Sequence, residues 1–260
     1  MNFDFHTHGK LGKKFDFSAD YYLEMATHAL QSGINGVALT EHFNTKNFHE
    51  VYDTLDAHFP YEDGYYNIQS LKVFPGMEVD IKEVGHILCI GNRQDIRALR
   101  AELNDYTKEE TFIPLENLLN LRSNYDMLVI GAHPFRESTP LKDLDPSLLK
   151  QLDAFDLNGK DLHTRGIEEN TMDVQTFAAS LSKPVVGGSD THHFKQFGAV
   201  YTVLDQECDT IAELKEAVIN RQFHVKVAQD LPERVSEAIR LKAIEKEKLK
   251  KLSLEMRFSS

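Results

Sequence analysis

Short apolar runs alternate with amphipathic stretches along most of the chain. Runs of Val, Ile, Leu and Phe indicate buried strands, whereas apolar residues at three- and four-residue spacing indicate helices. The pattern predicts strands at 3–5, 36–39, 71–74, 87–90, 126–130, 154–157 and 184–186. It predicts helices at 20–32, 115–122, 173–181 and 231–256. Gly33 follows the first helix at a position where glycine commonly ends helices.

Strands that alternate with helices favour parallel pairing and an α/β fold. A barrel is favoured over an open dinucleotide-binding sheet because GxGxxG does not follow the first strand. We predict a barrel domain over residues 1–229 and a helical tail over residues 230–260. The tail is rich in Glu, Lys, Leu and Ala, and it either packs on the barrel or projects toward a partner, including a second copy.

Composition narrows the class of partner. The chain has 260 residues, 41% of them apolar, and a formal net charge of −12. This charge disfavours stable binding of nucleic acid, which depends on Lys and Arg, but it allows a small phosphorylated substrate. We expect a cytoplasmic protein without a membrane anchor, because no apolar stretch approaches ~18 residues and no signal-like segment opens the chain. Cys89 and Cys208 lack the spacing of a thiolate metal site.

Histidines and acidic residues fall at or near the predicted strands. In an α/β barrel, residues just past the carboxyl ends of the strands lie on one face, where catalytic groups are found. Side chains far apart in the chain would therefore converge there. The motifs are HTH at 6–8, TEH at 40–42, GMEVD at 76–80, GHIL at 85–88, AHPF at 132–135 and GSDTH at 188–192.

This set of side chains predicts a metal site. Imidazole nitrogens mixed with carboxylate oxygens suit zinc, manganese or iron. In HTH, His6 and His8 are two residues apart on extended chain, so both rings can reach one ion. Glu78 has two oxygens and could bridge two ions. The candidate ligands are His6, His8, His42, Glu78, His86, His133, Asp190 and His192.

Each motif alone has a simpler interpretation. A single HxH is usually accidental, His133 before a proline is commonly a turn residue, and Asp190 after two glycines and a serine could cap a helix. Ligand-type residues at five separate strand ends favour the metal site. The other histidines are weaker candidates: we assign packing to His28, a surface or loop position to His49, His58 and His224, and a place behind the site or in solvent to His193.

The ordered set of motifs resembles the polymerase and histidinol phosphatase (PHP) family over about residues 1–227. The resemblance implies a distorted seven-stranded (β/α) barrel, two or three divalent metal ions and hydrolysis of phosphate esters. Position by position it implies one metal held by His6, His8, Glu78 and Asp190, a second held by Glu78, His86 and His133, and a third held by His42 and His192.

One part of the sequence departs from the family pattern. Family members often carry an Asp or His several residues after HxH that helps to hold the third metal, whereas residues 9–14 here read GKLGKK. Asp16 is a possible substitute. Alternatively, Lys13 or Lys14 takes over the electrostatic role of that metal and faces the substrate phosphate.

These residues predict attack on phosphorus by metal-activated water, with Asp190 orienting the nucleophile and a protonated His192 assisting the leaving alkoxide. The candidates for binding the substrate phosphate are Arg136, Lys160, Arg165, Lys13, Lys14 and His163. Two alternatives stay open. HxH after a first barrel strand also marks metal-dependent amidohydrolases, although no metal-bridging lysine follows a middle strand. The other alternative is a non-catalytic module that binds metal for stability or docks a partner through the helix at 231–256.

Overall fold

The computed structural model describes residues 1–258, with side chains up to residue 251. The strands are β1 (Asn2–Thr7), β2 (Gly36–Leu39), β3 (Tyr61–Glu62), β4 (Tyr65–Ile68), β5 (Leu71–Ile81), β6 (Gly85–Gly91), β7 (Met127–Gly131), β8 (Ala154–Asn158), β9 (Val185–Gly188), β10 (Val200–Leu204) and β11 (Phe223–Val227). The α-helices are α1 (Ala19–Gln31), α2 (Phe48–His58), α3 (Arg93–Glu102), α4 (Leu115–Arg122), α5 (Pro146–Leu149), α6 (Gly159–Arg165), α7 (Ile167–Ser180), α8 (Ile211–Ile219) and α9 (Leu231–Phe258).

The strands form one sheet in the order β11-β10-β1-β2-β5-β6-β7-β8-β9, and the β3–β4 hairpin lies beside β5. Parallel pairs join β1 to β2, β2 to β5, β7 to β8, and β8 to β9. The expectation of parallel pairing is wrong around β6, which is antiparallel to both β5 and β7. Only residues 82–84 separate β5 from β6, and a parallel crossover needs a connection of a dozen or more residues.

The sheet curls into a nearly closed barrel, as the sequence predicts. The barrel closes where β9, at one end of the sheet, meets β1. There Asp190 N donates to His6 O over 2.7 Å and His8 N donates to Thr191 O over 2.8 Å. Gly188 makes this approach possible, because a Cβ there would lie 2.6 Å from the His6 Cβ. Seven strands lie on the path from β1 to β9 within residues 1–258, and β10 and β11 extend the sheet beyond β1.

The helices cover the sheet through apolar contacts. One buried cluster joins strand residues such as Val73 to α1, α2, α3 and α4, and a second joins strand residues such as Phe74 to α8. Helix boundaries follow ordinary capping chemistry: Ser18 accepts a hydrogen bond from Tyr21 N at the start of α1, and Gly33 adopts a positive φ of 79° after its end. No helix in the described part of the chain is long and apolar enough to cross a membrane.

The predicted terminal helix is present as α9, and its first turns pack on the barrel. Leu231 and Val235 are fully buried. They share an apolar cluster with Leu157, Leu162 and Val174. These contacts join α9 to β8, α6 and α7. The domain boundary at residue 230 stays a prediction, but the start of the tail belongs to the packed structure.

Candidate metal centre

The eight side chains predicted as ligands gather where β1, β2, β7 and β9 end. His86 reaches the same place from the start of β6, because β6 runs antiparallel to its neighbours. Glu78 lies within β5, opposite the segment that follows β2, and His42 forms a bridge to it. The barrel therefore places ligand-type residues from six strands at one mouth.

Glu78 lies at the centre of this group, and its two oxygens face different histidines. Oε1 lies 2.6 Å from His86 Nδ1 and 3.3 Å from His133 Nε2. Oε2 lies 2.7 Å from His42 Nδ1 and 3.6 Å from His8 Nε2. A carboxylate in this position can contact two cations, one through each oxygen.

Three sets of side chains bring their donor atoms within 4.8 Å of one another. These sets are His6, His8 and Asp190; Glu78, His86 and His133; and His8, His42 and His192. The ring of His8 lies 4.1 Å from that of His192, and its Nε2 lies 3.3 Å from Asp190 Oδ1. A neutral imidazole has one lone pair for a metal, so the first and third sets compete for His8. The family resemblance implies a third metal held by His42 and His192, without His8.

Several polar atoms in this group are buried without a hydrogen bond. They include His8 Nδ1, His42 Nδ1 and Glu78 Oε2. His42 Nδ1 and Glu78 Oε2 are only 2.7 Å apart, yet neither atom has a hydrogen-bond partner. Buried polar atoms without partners are costly and uncommon in folded proteins. Lone pairs that point into shared space fit a divalent cation, so the donor set suits metal ions.

A second layer of polar side chains holds the histidine rings. Asp156 Oδ2 lies 2.8 Å from His6 Nδ1, and Asp80 Oδ1 lies 2.9 Å from His86 Nε2. Carboxylates in such positions orient metal-binding histidines and make them better ligands. Neither aspartate is among the site residues predicted from the sequence. Asp80 could have been found from strand periodicity, since it lies two residues after Glu78 on the same face of β5.

The charge states of these groups follow from their surroundings. Burial opposes ionisation of Asp190, but Arg136 and His6 hold its pKa well below the usual range. Burial opposes the charged form of His86, but Glu78 and Asp80 raise its pKa to about 9. Burial and the nearby Arg136 lower the pKa of His133 to about 4. At neutral pH, Asp190 is therefore ionised and His133 is neutral, which are the forms that bind metals.

Two candidate ligands occupy the left-handed region of backbone space. His133 has a φ of 34° and Asp190 a φ of 59°. Such conformations cost energy for residues other than glycine and persist where surrounding contacts hold them. The amide of His133 donates to Asp156 Oδ1, and the amide of Asp190 donates to His6 O. The strained residues are thus tied to β8 and β1, which supply the neighbouring site residues.

A family model described as PHP-associated, PHP_C, matches residues 169–223. This match joins the ordered motifs and the barrel in pointing to one family. In residues 169–223 the chain is thus similar to PHP-associated sequences. No curated protein matches the chain.

Solved structures share the fold at low sequence identity. PsfC from Pseudomonas syringae PB-5123 is 20% identical with a TM-score of 0.76, over 93% of this chain and 97% of PsfC. The lesion-specific endonuclease PfuEndoQ from Pyrococcus furiosus is 21% identical with a TM-score of 0.62; the match covers 87% of this chain but 57% of the endonuclease. An amidohydrolase from Chromobacterium violaceum is 14% identical with a TM-score of 0.53, over 86% and 98% of the two chains.

Arg136, a predicted phosphate-binding residue, already contacts several protein side chains. Its guanidinium donates to Asp161 Oδ2 at 2.7 Å, Asp190 Oδ2 at 2.8 Å and Asn158 Oδ1 at 3.0 Å. Burial opposes its charge, but Asp190 and Asp161 raise its pKa. Carboxylates of the protein thus engage this cation, and Arg136 holds Asp190 in place. A role of Arg136 in binding substrate phosphate stays a prediction.

Arg165 also lacks a free guanidinium. It donates to Asn170 Oδ1 and to Asp173 Oδ2, each at 2.7 Å, and lies over the ring of Phe135. These contacts hold Arg165 against α7. The guanidinium therefore has protein partners without a bound substrate. A role in phosphate binding stays a prediction that its contacts do not support.

The other predicted phosphate-binding residues lie in three different settings. Lys13 Nζ pairs with Asp80 at 3.0 Å at the edge of the site. Lys14 is exposed, and Asp16, the possible substitute ligand, is also exposed and pairs with Lys46. Lys160 is exposed at the start of α6, whereas His163 Nε2 lies 3.4 Å from Ser236 Oγ of α9.

The remaining histidines lie outside the centre. His28 stacks on Phe194 at 4.1 Å, as expected for a packing residue. His193 is buried behind the site, not solvated, and its Nε2 lies 3.4 Å from Glu245 Oε1 of α9. His58 and His224 are exposed.

Proposed function

We propose that this protein belongs to the PHP family and hydrolyses phosphate esters of small molecules at a centre of two or three divalent metal ions. The observation that carries the proposal is the position of Glu78, whose oxygens face one set of histidines each. That arrangement is expected of a bridging carboxylate in a two-metal hydrolase. The activity, the metal ions and the small phosphorylated substrate are all parts of this proposal.

The metal ligands in this proposal are His6, His8, His42, Glu78, His86, His133, Asp190 and His192. Zinc, manganese or iron suits the mixture of imidazole nitrogens and carboxylate oxygens. Divalent ions bound here would supply an activated water molecule and offset the negative charge of the phosphate. The set with Glu78, His86 and His133 is independent of His8, so its occupancy does not depend on how His8 is shared.

Asp190 is proposed to orient the attacking water. Its Oδ2 is held by Arg136 at 2.8 Å, while its Oδ1 faces His8 Nε2 at 3.3 Å and His6 Nε2 at 3.8 Å. One oxygen is thus fixed by the protein, and the other faces the site. The ion pair with Arg136 keeps the carboxylate ionised and holds its other oxygen toward the site. A group that positions a nucleophile needs both properties.

His192 fits a different role from the one expected. Burial and the nearby His8 and Lys242 lower the pKa of His192 well below its usual range. A neutral ring can bind a metal or accept a proton, but it cannot donate a proton to the leaving alkoxide. We therefore keep His192 as a metal ligand, and the leaving group must take its proton from another donor.

A panel of phosphomonoesters assayed with manganese or zinc tests this function. We expect phosphate release by the wild-type protein and release close to background for His6→Ala and Asp190→Ala. His58→Ala removes an exposed histidine and serves as the matched control. Unchanged phosphate release in both site variants would defeat the assignment.

The assay should also include two other substrate classes. The structure of endonuclease Q with a 27-mer duplex bearing an abasic lesion shares this fold with a TM-score of 0.62, so the same duplex is a suitable nucleic-acid probe. The net charge of −12 opposes binding of such a polymer. Amide and lactone substrates test the amidohydrolase alternative. A protein that folds and functions normally without any bound metal would favour the other alternative, the non-catalytic module.

A further inference from the structure

A cleft of about 320 Å³ opens beside the candidate metal centre. Asp190 and His192 line it on the side of the barrel, and α9 lines it on the other side. The α9 residues that face the cleft include Val235, Ala238 and Lys242, whose spacing follows one face of a helix. The terminal helix is therefore a wall of the site as well as a packing element, and the cleft has the volume of a small-molecule site.

Three lysines line this cleft, and none of them forms an ion pair with a carboxylate whose side chain the structure describes. Lys160 comes from α6, and Lys242 and Lys246 come from α9. No ion pair or hydrogen bond is formed by their ammonium groups among the residues whose side chains the structure describes. By contrast, Lys13 forms an ion pair with Asp80, and Lys72 forms one with Asp209. Unpaired cations that share one cleft are unusual in a chain with a net charge of −12.

The two lysines of α9 are close to the metal-ligand segments. Lys242 and Lys246 are four residues apart, so they lie on the same helical face. Lys246 Nζ lies against Gly12, where a Cβ would be 3.0 Å away, in the loop that follows HTH. Burial and the neighbouring Lys246 lower the pKa of Lys242 to about 8. Asp190 and Glu41 offset part of this effect, and a bound anion would offset more of it.

We propose that Lys242 and Lys246, assisted by Lys160, bind a second anionic group of the substrate. This inference rests on the proposed function, because the phosphate ester itself is assigned to the metal centre. The substrate would then carry an ester phosphate at one end and a carboxylate or a second phosphate at the end beside α9. Ammonium groups bind either anion as compact point charges, so the lysines specify charge at that end and not one chemical group.

Binding of non-hydrolysable probes tests this subsite without requiring turnover. The probes are propylphosphonate, 3-phosphonopropionate and propane-1,3-diphosphonate, titrated calorimetrically into manganese-loaded protein. The first two have the same chain length and differ only in a methyl or carboxylate end. We expect the probes with two anionic ends to bind about tenfold tighter than propylphosphonate, since a charge-assisted hydrogen bond contributes about 1.5 kcal/mol.

The double variant Lys242→Met/Lys246→Met should lose this preference while it still binds propylphosphonate. Lys248→Met removes the same charge from an exposed position on α9 and should keep the preference. Lys242→Arg/Lys246→Arg should restore part of it. A preference for only the carboxylate or only the diphosphonate probe would identify the second group.

Two results would overturn the subsite. One is equal affinity of the wild-type protein for all three probes, and the other is an unchanged preference in the double methionine variant. Loss of the proposed function looks different: the wild-type protein would release no phosphate from esters, while the lysine-dependent preference among the probes could persist.

Discussion

His6 Nδ1 lies 2.8 Å from Asp156 Oδ2, and both side chains are fully buried. This contact joins residues that are 150 positions apart, one on β1 and one on β8. It leaves His6 Nε2 facing Glu78 and Asp190, at 3.6 and 3.8 Å. The orientation of a candidate ligand is thus set by a carboxylate that does not itself face the proposed metal.

Asp156→Asn should weaken metal binding about 10- to 100-fold, the usual cost of losing a carboxylate behind a metal-binding histidine. An amide at this position can still accept a hydrogen bond, but it does not increase the basicity of the ring. Manganese titration followed by calorimetry measures the change. Asp153→Asn is the matched control, since Asp153 only accepts from Val129 N near the other end of β8. Equal manganese affinity in the two variants would contradict a role for Asp156 behind His6.

Arg136→Met should destabilise the protein by about 3 kcal/mol or more, because it leaves Asp161 and Asp190 buried together without their cation. The pKa of Asp190 should rise toward its usual range, and hydrolysis should fall. Urea denaturation and kcat/KM measure these effects. Arg165→Met removes a more exposed ion pair with Asp173 and should cost about 1 kcal/mol or less. If the free energy of unfolding falls equally in the two variants, Arg136 does not stabilise the buried pair of aspartates more than Arg165 stabilises its surface contact.

Most of the fold could be predicted from periodicity. Every predicted strand and helix has a counterpart, including β2 at its observed bounds and α4 at Leu115–Arg122. The elements that were not predicted are helices α2, α3, α5, α6 and α8 and strands β3, β4, β10 and β11. The direction of β6 was also missed, because pairing direction depends on the connection at 82–84 and not on the apolar pattern of the strand itself.

The candidate ligands could be found because strand ends converge in a barrel whatever the details of packing. Asp156 could not be singled out, since its role depends on contact with a residue 150 positions away. The lysines of α9 were missed for a similar reason. Their composition is typical of any exposed helix, and only the docking of α9 beside His192 brings Lys242 into the cleft.

Addition of manganese to metal-free protein should raise its Tm. A ligand at 100 times its Kd stabilises the folded state by about 2.7 kcal/mol, which corresponds to roughly 5 to 10 °C for a chain of this size. Glu78→Gln should reduce the shift, because it removes the charged carboxylate that faces two sets of histidines. Glu83→Gln, at an exposed position where an amide can still accept from Leu115 N, should leave the shift unchanged. Thermal melts with and without chelator measure the shift in Tm. A Tm that does not change when manganese is added would argue against the metal centre.

Asp4 should make the metal-free protein less stable as the pH rises. Burial raises its pKa from 3.8 to about 7, and Oδ2 has no hydrogen-bond partner. The folded state therefore holds the proton more tightly than the unfolded state. Its contribution is fully present below pH 3.8 and is lost as the pH rises through 7, by about 4 kcal/mol in total.

Asp4→Asn removes this penalty and keeps an oxygen that can accept from the amides of His6 and Ser189. In the presence of chelator, its free energy of unfolding should exceed that of the wild-type protein by more at pH 8 than at pH 5. Urea denaturation at the two pH values measures the difference. Asp63→Asn removes a negative charge from an exposed turn and should show no such trend. A constant difference between Asp4→Asn and wild type across this range would mean that Asp4 is ionised in the folded protein throughout.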